Sequence, residues 1–121
     1  MSEYLQDFRV GDTVRVKIQY PTTTDIAGYK FWLTLKNAFE DADPGVMQIE
    51  TTAGDDPLDT PGSGRAYLVA TPTDTGSIAP GKYVWDIQAM TADGEITTIA
   101  PPIAEYKDKV TVVPGATNAT S

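Results

Sequence analysis

The sequence predicts an all-β domain, an Ig-like antiparallel β-sandwich of about seven strands. Three observations carry that prediction. Apolar and polar residues alternate strictly in several short runs, the period of a half-buried strand. Turn-forming residues recur about every 8 to 12 positions, and no stretch repeats with a helical period. The chain has 121 residues, 40% hydrophobic and 21% charged, which suits one globular domain with a real core.

Residues 1–12 read as an N-terminal arm and lead-in, with Val10-Gly11-Asp12 as a turn. Residues 13–113 form the sandwich, and 114–121 are small, polar and loose. The first strand covers 13–19. Val14, Val16 and Ile18 point inward, while Arg15, Lys17 and Gln19 form a wet face. Pro21 to Asp25 break it. A second strand covers 29–36, with Tyr29, Phe31, Leu33 and Leu35 inward and Lys30, Trp32, Thr34 and Lys36 on the other face. A polar connection at 37–45 precedes a weaker strand at 46–52. Residues 53–63, rich in Asp, Gly and Pro, read as a surface loop, and 65–71 as the next strand.

The most informative run is 74–88. A polar turn leads into Pro80-Gly81, and Tyr83, Trp85, Ile87 and Ala89 then alternate along a strand at 82–90. Pro80, Gly81 and Tyr83 form a structural corner, in which the tyrosine hydroxyl ties back to nearby backbone. Asp93-Gly94 supplies the positive φ of a hairpin turn, and 96–100 returns along it. Pro101-Pro102 interrupts the pairing before a last strand at 109–113.

Composition excludes more chemistry than it offers. The chain has no cysteine and no histidine. It therefore lacks disulfides, thiolate nucleophiles, the usual general base near neutral pH, and the commonest transition-metal ligands. No catalytic residue, cofactor site or metal site is assigned, and an enzyme is not expected. Seventeen acidic against nine basic side chains give a net charge of −8, which disfavours nucleic acid and anionic membranes as partners. The start, Met1-Ser2-Glu3-Tyr4, has neither a basic nor an apolar leader region, so export by a classical signal is not expected.

Several residues carry a choice between a functional and a structural reading. Glu40, Asp41 and Asp43, and Asp55, Asp56 and Asp59, are clustered carboxylates of the kind calcium binds, but neither loop has EF-hand spacing. Solvated loops are the expectation. Asp86 beside Trp85 could serve glycosidase chemistry only with a second positioned carboxylate, and none is evident. Gly62-Ser63-Gly64 lacks the lysine and helix of a phosphate loop, and the Asn118-Ala119-Thr120 sequon is a chance match. Trp32 shares its face with Lys30 and Lys36 and is either a shielded surface tryptophan or an interface anchor. Tyr4, Phe8 and Tyr106 sit in flanking segments that either add a strand to a neighbour or cap their own domain.

Ordered along the chain, these pieces resemble a group of small tailed-bacteriophage virion proteins, similar to the N-terminal β-sandwich domain of phage baseplate upper proteins. The resemblance runs from Gly11-Asp12-Thr13-Val14, through Asp25-Ile26-Ala27-Gly28-Tyr29-Lys30-Phe31 and Leu35-Lys36, to the 73–88 run, Asp93-Gly94 and Val110-Thr111-Val112-Val113-Pro114. It implies a virion structural protein, made in the bacterial host cytoplasm: a head decoration, minor capsid, tail or baseplate component. Its partners would be other virion proteins and further copies of itself, as a homo-oligomer in the particle. The alternative on the same fold is a carbohydrate- or host-surface-binding module, with Trp32 as a stacking surface.

Overall fold

The computed structural model describes residues 5–38, 40–42, 45–100 and 109–115. Eight strands are present among them: β1 (Phe8–Arg9), β2 (Val14–Gln19), β3 (Lys30–Lys36), β4 (Met47–Thr52), β5 (Arg65–Ala70), β6 (Gly81–Met90), β7 (Ile96–Ala100) and β8 (Lys109–Val113). The larger sheet runs β1-β8-β6-β3-β4, with β7 also beside β6; the smaller consists of β2 and β5. All pairings are antiparallel except the two-residue contact of β1 with β8, which is parallel. The predicted all-β sandwich is the fold observed.

Alternation decides which way each strand faces. Phe31, Leu33 and Leu35 of β3 are fully buried, as are Trp85 and Ile87 of β6, Ile18 of β2 and Leu68 of β5. These side chains fill the space between the sheets, and burying each of the larger ones stabilises the fold by roughly 1.5–3 kcal/mol. The opposite faces keep Arg15, Lys17, Gln48 and Glu50 exposed.

The edge of the larger sheet departs from the simplest expectation. β7 pairs with Gln88–Met90 and Ile87 of β6, while β8 pairs with Gly81–Val84 of the same strand. Both lie on one side of β6, so eight strands occupy seven lateral positions. Ala100 faces Ile87 and Lys109 faces Val84. β7 ends at Ala100, and the next two residues in sequence, Pro101 and Pro102, lack the N–H that a strand ladder needs.

Two further differences concern local chemistry. Residues 8–9, expected to be part of a lead-in, form β1. A short helix, α1 (Pro72–Gly76), stands where a polar turn was expected. The Thr71 side chain accepts from the Asp74 N–H, and the Asp74 carboxylate accepts from the Thr71 N–H, a reciprocal capping box with Pro72 in the first turn. The Thr-Pro-x-Asp pattern was present in the sequence; a helix of five residues is too short to show a period. Thr75, on this helix, is fully buried and donates to the Asp12 carbonyl at 2.7 Å, tying the crossing from β5 to β6 against the start of β2.

The Pro80-Gly81 corner follows directly. Gly81 is extended and already pairs with Val112, so the turn is completed before it. The Tyr83 hydroxyl donates to the Ala79 carbonyl, and the ring is buried. Gly94, at φ +92°, closes the hairpin between β6 and β7 by donating to the Thr91 carbonyl.

Candidate binding groove between β4 and β5

An open groove of about 390 Å³ lies where the two sheets approach each other at β4 and β5. Its walls come from Glu50 and Thr51 of β4, Asp55, Asp56 and Pro57 of the connecting loop, Arg15 of β2, and Tyr67 and Val69 of β5. That volume falls in the range of roughly 300–1,000 Å³ typical of ligand clefts.

The backbone of β5 explains why a groove remains. Tyr20 N–H donates to Gly64 O, which sets the hydrogen-bonded pairs of the β2–β5 ladder at Ile18–Ala66, Val16–Leu68 and Val14–Ala70. Arg65, Tyr67 and Val69 therefore turn their N–H and C=O groups away from β2. Arg65 exchanges both bonds with Thr60. The Tyr67 N–H donates to Asp59 Oδ1 at 2.9 Å. Val69, in the groove, stands opposite Arg15 in register, and its outward backbone groups meet no hydrogen-bond partner among the described residues. Next along the chain, the Thr71 N–H is taken by Asp74 Oδ2 at 2.8 Å. Among the described residues, the outer edge of β5 is thus capped on both sides of Val69 and open at it.

The opposite wall has the same character. Ala53 N–H donates to Tyr29 O, which places Thr51, Ile49 and Met47 as the residues bonded to β3. Glu50 then directs its backbone groups away from β3, while neighbouring Thr52 is closed off by reciprocal bonds with Asp55. Two strand edges with open backbone positions border one groove.

The loop carboxylates are organised by this architecture. Asp59 Oδ2 accepts from the Gly54 and Asp56 N–H groups, in addition to the Tyr67 bond through Oδ1. Asp56 forms a salt bridge with Arg15, whose guanidinium also lies 5.5 Å over the Tyr67 ring. Asp41 Oδ2 accepts from Ala38 N–H at 3.1 Å. Backbone donors and Arg15 thus occupy carboxylates that a calcium ion would need, and no group of three metal-ligating side chains occurs among the described residues. Asp43 lies outside the described residues.

Other sequence candidates take different places. Trp32 sits half-buried on the outer face of the larger sheet, opposite Glu50, and its indole N–H donates to Glu50 Oε2 at 2.7 Å. It therefore borders the groove through Glu50 without lining it. Phe8 is buried in the domain's own core. Its burial favours the capping alternative for that part of the arm. Tyr4, Tyr106 and Asn118 lie outside the described residues. Asp86 faces Thr34 beside a cavity of about 10 Å³, room for about one water. Gly62 and Ser63 belong to a 3₁₀ turn, and Gly64 follows it at φ +76°, where a Cβ would stand 2.8 Å from the Pro21 carbonyl oxygen. Gly64 is a packing requirement. The groove itself was missed because its key feature is the hydrogen-bond phase that β3 and β2, strands paired from elsewhere in the sequence, impose on β4 and β5.

No family model and no curated protein matches the chain. Among solved structures, CopC from Methylosinus trichosporium OB3b matches at 17% identity and a TM-score of 0.42, over 94% of this chain and 89% of that one. None of the comparisons returns a virion component. The expected role as a bacteriophage head, tail or baseplate protein is corrected accordingly, together with its carbohydrate- or host-surface-binding alternative. Both are withdrawn.

Proposed function

We propose that this chain is a non-catalytic interaction domain whose working surface is the groove between β4 and β5. The observation that carries the reading is the pair of open strand edges at Glu50 and Val69 on either side of one cleft. Open edges bind other polypeptide chains through main-chain hydrogen bonds, the chemistry of strand addition. The side chains around the cleft fit binding better than catalysis. Asp56 is neutralised by Arg15, Glu50 accepts from Trp32, and Tyr67 is covered by the Arg15 guanidinium.

Selection from a random peptide library on the immobilised domain tests the reading. The expected result is enrichment of sequences whose binding shifts the amide resonances of Glu50, Thr51, Tyr67 and Val69. No enrichment, or enriched peptides that shift only resonances outside the groove, would contradict it.

A further inference from the structure

The geometry points to a specific occupant for the groove: an extended, basic segment of a partner protein, added as a third strand at the outer edge of β5. This rests on the interaction-domain reading and goes further by naming the occupant's conformation and charge.

The conformation follows from β5. Among the described residues β5 pairs with β2 alone, so its far side carries no partner strand. The segment that joins β4 to β5 places no strand there. This segment, the 53–64 loop, closes the edge in two different ways. Thr60 bridges Arg65 as a strand would, and Asp59 substitutes a carboxylate oxygen for the carbonyl that would otherwise receive the Tyr67 N–H. The imitation ends at Tyr67. Beyond it, the Tyr67 carbonyl and both backbone groups of Val69 continue the same edge into the groove. An incoming residue opposite Val69 would exchange both hydrogen bonds with it, in the manner of an antiparallel pair.

Charge selects among extended segments. The groove carries three carboxylates, Glu50, Asp55 and Asp56, against the single guanidinium of Arg15. Arg15 is held by Asp56, so its charge is balanced within the wall. Asp55 is exposed, and its Oδ2 takes only a backbone N–H from Thr52, at 3.3 Å. Glu50 is exposed and accepts from the Trp32 indole, a neutral donor. No cationic side chain is paired with either carboxylate among the described residues. The whole chain, at −8, adds long-range attraction for a cationic segment and repulsion toward a second copy of itself.

The test uses three fluorescein-labelled octapeptides and the full chain, read by fluorescence anisotropy at low salt and at 0.5 M NaCl. The first peptide alternates Lys and Thr. The second alternates Glu and Thr. The third is the Lys–Thr peptide N-methylated at every second residue, which removes the donors on one edge without altering the protein. The Lys–Thr peptide is expected to bind, to protect the Val69 amide from exchange, and to lose affinity at high salt. The Glu–Thr and N-methylated peptides are expected to bind at least about tenfold more weakly, since each lacks an interaction worth about 1.4 kcal/mol or more. Combined Glu50→Gln and Asp55→Asn substitutions should weaken Lys–Thr binding by a similar factor, and circular dichroism of the double variant would establish that it remains folded. Equal binding of the Lys–Thr and Glu–Thr peptides would overturn the basic preference while leaving the interaction-domain reading intact. Equal binding of the N-methylated peptide would overturn strand addition. A concentration-dependent dimer that protects the Val69 amide would overturn the proposed occupant in favour of a second copy.

Discussion

Asp59 shows how much of this fold depends on single polar atoms. Its two oxygens accept from three backbone N–H groups, those of Gly54, Asp56 and Tyr67. Asparagine keeps one oxygen and places an NH₂ group against a donor. Asp59→Asn should therefore destabilise the domain by about 1–3 kcal/mol, with faster hydrogen exchange at those three amides. Urea unfolding and exchange measured together would check it, and slow exchange at Tyr67 in the variant would refute the assignment. Tyr83 is the simpler case. Removing its hydroxyl leaves the Ala79 carbonyl on an exposed residue that water can reach, so Tyr83→Phe should cost only about 1 kcal/mol. The urea midpoint should fall with an unchanged m-value. Residue-level roles like these were only partly visible in the sequence. The tyrosine announced itself through the Pro-Gly before it and the alternation after it. Asp59 looked like one more member of an acidic loop, because its partners are backbone groups that carry no side-chain signature.

Elements were legible wherever one face of a strand is buried and the other wet. The inward sets at Val16–Ile18, Phe31–Leu35, Ala66–Ala70 and Tyr83–Ala89 follow from period-two alternation and are the residues that pack the core. Elements too short for a period escaped it. Strand β1 has two residues and is held by β8, more than a hundred positions away, through Phe8–Val112 and Arg9–Val113. Helix α1 is defined by its cap rather than by any apolar stripe. Thr71→Ala removes that cap and should destabilise the domain by about 1 kcal/mol, measured by thermal or urea unfolding. No change would mean that Thr75, anchored to Asp12, holds the helix by itself. The division of the last sheet position between β7 and β8 was half legible. Two prolines marked the interruption, but only the register reveals that both pieces lie along the same side of β6.

At the scale of the whole molecule, the described residues form one sheet with five lateral positions and another with two, and the groove lies beside the smaller one. A sheet of two strands leaves backbone edges that natural proteins ordinarily cover, bend or charge. Here the 53–64 loop covers most of the β5 edge and stops before Val69. The fold class was readable from alternation and turn spacing because those patterns report burial. The groove was not, because it depends on which strands meet and in what hydrogen-bond phase, and neither is written in local composition. The motif resemblance to virion proteins drew on corners and hairpins that sandwiches share, and such pieces report architecture rather than role.

Native-state amide hydrogen exchange of the unliganded domain tests the open edge most directly. Leu68 and Ala70 face hydrogen-bonded partners on β2, whereas Val69 between them directs its N–H into the groove. Exchange should be slow at Leu68 and Ala70, and faster by orders of magnitude at Val69. Protection of Val69 equal to that of its two neighbours would mean that the edge is already covered, and would contradict the groove as a site for a partner strand.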